Sequence, residues 1–479
     1  MIKFIYFLKL LSSILLSVTF LYCELYFFSD IFNSNYIVIN LGFKILNLSS
    51  KNPLLLQNIK YLFIIFSFIS NFIWCYLLLH KIFPINLKKY KKKSESNAEQ
   101  LHLVLGKNIN SGENVILPEK GLYQNILITG AIGSGKTSSA MYPITRQLIT
   151  YKSNSKKDKL GMLILDVKGN YYYEVLKYAK QYGREEDVIP IEISGKYTYN
   201  PLDKKSLKAS VIANRLKTIL LLFSPNNSES YWIDKSETVL SEAIKLCRLY
   251  NNNYVTFQEI HNLVTNFEYY SSKISLLRQK FIENKFNKTQ VYDLLSSISF
   301  FEKEFFSLDS RTMNILKSEI TRITNCFISD ASILATFCPS EVDNNFVGFD
   351  DVINSGKIVV LNMNINEYRN LSKIIATYLK LDFQTEVLRQ LSNPTPVIHP
   401  VAFISDEYSE YVSATDANFF SQSRESKCIN IVSTQSYTSL LNALNNKYSV
   451  EVIVQNLVNK LWFRSDDIFT IEDAQKQLR

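Results

Sequence analysis

Two kinds of apolar pattern divide this chain near residue 100. Ahead of it, apolar side chains run without a period: Phe4–Cys23 is interrupted only by Lys9, and Tyr61–Leu79 carries no charge. Each run is long enough to cross a hydrocarbon layer as a helix, since about 20 residues cover roughly 30 Å, and Lys9 lies near enough to one end to snorkel. The same runs would suit buried core helices, and the first would suit a cleaved leader. Against a leader, no small-x-small pattern precedes Glu24, and Tyr22 ahead of Cys23 does not fit a lipoprotein site.

Beyond residue 100, short β-rich runs alternate with helix-length segments. The runs are Asn125–Thr129, Met162–Val167, Val188–Ile193, Ile358–Met363, Val401–Ser405, Ile429–Ser433 and Lys460–Phe463. Most are apolar on consecutive positions, the pattern of parallel strands covered on both faces. Between Pro201 and Phe346 no comparable strand series occurs. Residues 206–222, 232–249, 256–264 and 291–304 read as helices, with Thr256 as N-cap and Glu259 three residues on. The expected organisation is a membrane anchor at 1–93 and an α/β domain in two parts, 94–205 and 347–479. An all-α insertion at 206–346 would separate those parts.

Composition adds to this in three places. At 479 residues the chain exceeds what one core usually serves, and 31 Phe with 29 Tyr suit a membrane-associated part or aromatic cores. The net charge of +9 and pI near 8.9 favour anionic partners without choosing among lipid, nucleic acid and nucleotide. Much of that charge is the cluster Lys81, Lys88, Lys89, Lys91, Lys92 and Lys93. By the positive-inside rule it stays cytoplasmic, which predicts a two-pass protein of a bacterial inner membrane with both termini inside and residues 23–60 outside. The same lysines can hold anionic headgroups, at about 1 kcal/mol each. The six cysteines form no CxxC pair and histidines number four, so reduced thiols are expected rather than a structural zinc site.

The first candidate chemistry is GAIGSGKT, Gly130–Thr137, entered from the strand at 125–129. Three of only 13 glycines fall within six positions here, in the strand–turn–helix setting that a phosphate-binding P-loop requires. Gly130, Gly133 and Gly135 would let backbone N–H groups point inward, with Ser134 and Ser138 in the same phosphate-binding stretch. Lys136 would reach the β- and γ-phosphates of ATP, Thr137 would hold Mg²⁺, and the opening helix would set its positive end beneath the anion. The second candidate is the strand Val401–Ser405, which ends in Asp406 and Glu407. Beside a P-loop, Asp406 would anchor Mg²⁺ through water and Glu407 would act as base toward the attacking water. Gln435, after the strand at 429–433, would either face the γ-phosphate or stand as a surface amide in a turn.

Taken together, these residues resemble the type IV secretion coupling proteins, the TraG/TraD-like membrane ATPases of conjugation. The match is carried by GAIGSGKT, LILDVKGN (163–170), YNPLD (199–203), YWIDKSE (231–237), ISDEY (404–408) and SRESKCINIVSTQS (423–436), together with the two N-terminal apolar runs. The resemblance implies a RecA-like P-loop NTPase and a homo-hexamer that hydrolyses ATP to bring single-stranded DNA, relaxase and relaxosome proteins to a secretion channel. It implies that Gln435 couples hydrolysis to motion and that Arg424 reaches a neighbouring subunit's nucleotide, the alternative for Arg424 being a solvated pair with Glu425. Asp166 and Lys168 match the family's strand-end motif, whereas Asn170 stands where an acid is usual. Two other readings stay open: a HerA/FtsK-like double-stranded DNA translocase, and a receptor that binds ATP without hydrolysing it.

Overall fold

The computed structural model describes residues 100–478 apart from 156, 167, 224–229 and 393–397, together with separate positions between 37 and 69. The chain divides into two compact units, Met1–Ala98 and Glu99–Arg479. In the first, β1 (Ile37–Asn40) pairs antiparallel with β2 (Ile45–Leu48). This unit brings a correction. Among the described residues no helix is long and apolar enough to cross a membrane, so the two-pass inner-membrane placement expected from the apolar runs is not upheld. The run at 4–23 and the lysine cluster lie outside the described residues, as does the run at 61–79 except for Tyr61, Leu62, Ile65 and Ile69.

The second unit opens with a hairpin, β3 (His102–Lys107) and β4 (Asn114–Pro118). A seven-stranded sheet comes next, built from β5 (Ile126–Thr129), β6 (Gly161–Leu165), β7 (Val188–Ile191), β8 (Ile358–Leu361), β9 (Val401–Ser405), β10 (Cys428–Thr434) and β11 (Asn459–Trp462). Their order is β11-β5-β10-β9-β6-β8-β7, and every pairing is parallel. All seven β-rich runs are therefore strands of one sheet. The reason for the unbroken runs is visible in the packing. Leu127, Leu163, Val359 and Phe403 enter one core, while their neighbours Ile126, Ile128, Met162, Ile164, Val360, Ala402 and Ile404 enter another on the opposite face. Successive side chains point to opposite faces, so a strand covered on both sides has no polar phase.

Between β7 and β8 the described residues form no strand. The helices there include Ala209–Leu222, Ser230–Tyr250, Phe257–Thr265, Phe267–Ile282, Lys288–Phe300 and Ser310–Ile328. Thr256 caps its helix as expected, its hydroxyl accepting the Glu259 N–H at 3.2 Å. The helical segment is joined to the sheet by shared packing, because Ile212, Leu216, Ile244 and Ile323 belong to the same core as Leu163 and Val359. Buried charge fastens the same junction. Asp382, on helix Ile365–Arg389, accepts from Tyr199 Oη at 2.8 Å and pairs with Arg215 and with Lys204, the latter at 2.7 Å.

Candidate functional site

Parallel strands bring their carboxyl ends to one edge, and the register levels those ends. Thr129 of β5 pairs with Thr434 of β10, and Ser405 of β9 pairs with Val432. The P-loop, Gln435 and the two acids consequently emerge side by side, with the strand that carries Gln435 between the other two. Such an edge is where open α/β sheets place ligands.

The loop glycines meet different needs. Gly133 and Gly135 have φ of 73° and 95°, in the left-handed region that a Cβ disfavours. Gly130 is absent from that region. A Cβ there would stand 2.5 Å from Phe463 Cβ and 2.7 Å from Ser134 Oγ, so close packing against the exit of β11 excludes a side chain. The expectation that all three glycines supply backbone freedom is corrected on this point. After the loop the chain makes a π-helical turn, Lys136–Met141, before continuing as helix Tyr142–Thr150; such wide turns concentrate at functional sites.

Lys136 is buried and donates from Nζ to the Gly130 carbonyl at 2.6 Å and the Ala131 carbonyl at 3.3 Å. Thr137 Oγ1 donates to Asp406 Oδ2 at 2.8 Å. Ser134 Oγ is buried with no hydrogen-bond partner, and Ser138 Oγ contacts the Gly135 carbonyl at 3.4 Å. On the acidic strand, the Asp406 N–H donates to the Leu165 carbonyl at 2.9 Å and Tyr411 Oη donates to the Asp406 carbonyl at 2.8 Å. These bonds fix the strand end from two sides. Glu407 then adopts φ 48° and ψ 48°, a left-handed conformation uncommon for a residue with a side chain. Its carboxylate accepts from Gln435 Nε2 at 3.3 Å and lies 4.0 Å from Lys168 Nζ. Burial pushes the Glu407 pKa up, with the Asp406 charge adding to the shift and Lys136 and Lys168 opposing it.

A cavity of about 360 Å³ is lined by Gly133–Ser138, Tyr142, Lys168, Asn170 and Glu407. The donor set fits a polyphosphate with a hard divalent cation: loop N–H groups, a buried ammonium, an unpartnered hydroxyl at Ser134, and a hydroxyl–carboxylate oxygen pair. Not every residue of the motifs faces it. Asp166 is buried and turned back on its own turn, accepting the N–H groups of Lys168, Asn170 and Tyr171 at 3.1 Å each, which makes it the brace of that turn. Arg424 lies elsewhere. It is exposed on the turn before β10, which Asn430 tethers by donating to Ser423 Oγ at 2.9 Å. The seven residues of β10, at about 3.3 Å each, put it roughly 20 Å from the edge that holds the P-loop. No ion pair joins Arg424 to Glu425 among the described residues.

Sequence reading missed Tyr142, which lines the cavity, and Tyr411, which holds the Asp406 carbonyl; each follows a singled-out motif within a few positions. Arg369 and Lys373, on the helix that follows β8, were not singled out from the sequence either; they line a separate cavity beyond Glu407.

A parallel sheet with a P-loop strand, an acidic strand and one strand between them defines the α/β, RecA-like P-loop NTPase fold. Among solved structures the chain is similar to the plasmid coupling protein TrwB. It matches TrwB in complex with the GTP analogue GDPNP with a TM-score of 0.54 and 14% identity, over 82% of this chain and 81% of that one. The complex of TrwB with ADP and Mg²⁺ gives the same values. The unbound conjugative coupling protein TrwBdeltaN70 matches with a TM-score of 0.51 and 13% identity, over 77% of this chain and 73% of that one. At this identity the likeness is one of fold. No family model matches the chain, and no curated protein matches it in sequence.

Proposed function

We propose that this chain is a Mg²⁺-dependent ATP hydrolase that moves or recruits DNA, in single-stranded form, toward a type IV secretion channel of the conjugative kind. The observation that carries the nucleotide reading is the 2.8 Å contact of Thr137 Oγ1 with Asp406 Oδ2. Residues 269 positions apart converge there on the oxygen pair that a phosphate-bound divalent cation needs. The DNA and channel parts rest on the likeness of fold to conjugative coupling proteins and on the motifs shared with that family.

In this reading the N–H groups of Gly130–Ser138 hold the phosphates, and Lys136 exchanges its two loop carbonyls for β- and γ-phosphate oxygens. Thr137 and Asp406 hold Mg²⁺, which when bound neutralises charge on those oxygens. Glu407 takes the proton of the attacking water, and its raised pKa makes it the stronger base. Gln435 orients the Glu407 carboxylate through their 3.3 Å contact and passes a change at the nucleotide to β10. Arg424 is too far from its own P-loop to act there, so it serves the nucleotide of the next subunit in a ring of six. The nucleotide domain comprises 94–205 and 347–479, with 206–346 as a helical insertion.

Steady-state ATP turnover of the purified chain tests this. Lys136→Ala should abolish turnover and weaken ATP binding. Glu407→Gln should keep ATP bound and unhydrolysed, since the amide preserves an acceptor but is no base. Wild-type turnover in Lys136→Ala would refute the P-loop assignment, and absence of turnover in the unmodified protein with DNA present would favour an ATP-binding receptor.

A further inference from the structure

Glu407 and Lys168 form a wall between two cavities. One contains the P-loop. The other, about 460 Å³, lies on the far side of Glu407 and Gln435 and is lined by Lys168, Asn366, Arg369, Asn370 and Lys373. Three cations thus face a space whose acids are Glu407 and Glu410. Lys373 is paired with Glu410 at 2.6 Å and Lys168 stands 4.0 Å from Glu407. Arg369 is exposed and has neither an ion pair nor a side-chain hydrogen bond among the described residues.

Arg369 also interrupts helix Ile365–Arg389, with φ 42° and ψ −117°. A residue with a side chain holds such a conformation only where its surroundings impose it, and such outliers gather at ligand clamps and active sites. Here the break sits in the wall of the cationic cavity, next to two asparagine amides able to donate. Among the described residues no aromatic side chain lines the cavity, so a stacked base finds no platform in them. What the donors suit is a phosphate group.

We propose that this cavity is a second phosphate site, separate from the P-loop, that takes either orthophosphate or a phosphodiester of a nucleic-acid strand. Through Lys168, its occupant competes for the charge beside Glu407 and so bears on the water-activating carboxylate. That last clause rests on the role proposed for Glu407; the site itself does not.

The test uses the full chain with saturating ADP and Mg²⁺, which occupy the α- and β-phosphate positions of the P-loop; orthophosphate taken up at the remaining γ-position would bind the variants below as it binds the parent. Orthophosphate binding is measured by calorimetry and binding of a fluorescent oligothymidylate by anisotropy. The double variant Arg369→Gln/Lys373→Gln should lose at least about 10- to 100-fold in affinity for the probe that occupies the site, the loss expected for the Arg369 contact alone, since Lys373 is already shared with Glu410; ADP affinity should be unchanged. Arg369→Gly, which suits the backbone there, removes the guanidinium without strain and should weaken the same probe. Loss confined to orthophosphate assigns the free ion, and loss confined to the oligonucleotide assigns the strand. If neither probe binds, or both bind the variants as well as the parent while ADP still binds, the second site is refuted. Failure of ADP to bind would count against the nucleotide reading instead, and probe binding would then be compared between parent and variants without ADP.

Discussion

Removing Lys380 should cost this protein far more than an ordinary lysine substitution. Lys380 and Asp416 are both fully buried, with Nζ 2.6 Å from Oδ2. Nζ also donates to the Tyr411 carbonyl at 2.6 Å and Ser413 Oγ at 3.0 Å. Asp416 accepts in addition from Tyr408 Oη at 2.5 Å, Gln384 Nε2 at 2.9 Å and the Ser413 N–H at 3.0 Å. Burial pulls the Lys380 pKa down, and the Asp416 charge opposes that shift. Lys380→Met keeps the volume but leaves a buried carboxylate without its cation, a loss of about 3–5 kcal/mol. Asp416→Asn placed on top of it restores neutrality and keeps an acceptor oxygen for Tyr408 Oη and the Ser413 N–H, while Gln384 turns its amide over to accept from the new NH2 group. The double variant should therefore be more stable than Lys380→Met alone. Equilibrium urea unfolding monitored by circular dichroism measures both, and Lys380→Met should lower the midpoint by about 1 M or more. Turnover supplies the functional readout. The pair clamps residues 408–413 directly after Glu407, so Lys380→Met should reduce turnover under folding conditions more than it weakens ATP binding. A double variant less stable than Lys380→Met, or a loss below about 1 kcal/mol for Lys380→Met, would refute the account of the pair as mutual charge compensation.

Two further outcomes are expected. Arg424→Ala mixed with Lys136→Ala should regain part of the ATPase activity, because a mixed ring can set an intact P-loop against an intact arginine across one boundary; mixtures as inactive as either variant alone, with mixed rings shown to form, would exclude action in trans. Gly161→Ala at the start of β6 should destabilise by about 1–3 kcal/mol, since the added Cβ would meet the Val352 carbonyl oxygen at 2.5 Å and Ile353 Cα at 3.0 Å; an unchanged thermal midpoint would show that helix Phe349–Ser355 shifts freely.

Most strands of the sheet were legible because they are apolar at successive positions, the pattern of strands buried on both faces, whereas edge strand β11 begins Asn459-Lys460 and is only half-buried. The hairpin β3–β4 was not legible, because most of its residues are exposed or half-exposed and its alternation is weak. Helix Ser310–Ile328 escaped for another reason. Its start is marked only by Asp309, whose carboxylate accepts the Arg311 and Thr312 N–H groups, a signal common in turns as well. The apolar runs ahead of residue 100 illustrate the opposite error, in which a local composition suggested a membrane placement that no described helix bears out.

At the site, Lys136, Thr137, Asp406 and Glu407 were legible in sequence, since the loop Gly130–Thr137 and an apolar strand ending in two acids leave recognisable local spacings. Only the tertiary structure decided that β10 stands between β5 and β9 and thereby brings Gln435 to Glu407. It alone decided that Gly130 is required by Phe463, that Arg424 stands at the other end of its strand, and that Arg369 and Lys373 share a wall with Glu407. The physical reason is range. A strand, a cap or a P-loop is encoded by neighbours within a few positions, whereas strand order and shared cavity walls arise from contacts between segments distant in the chain, where no local period records the partner.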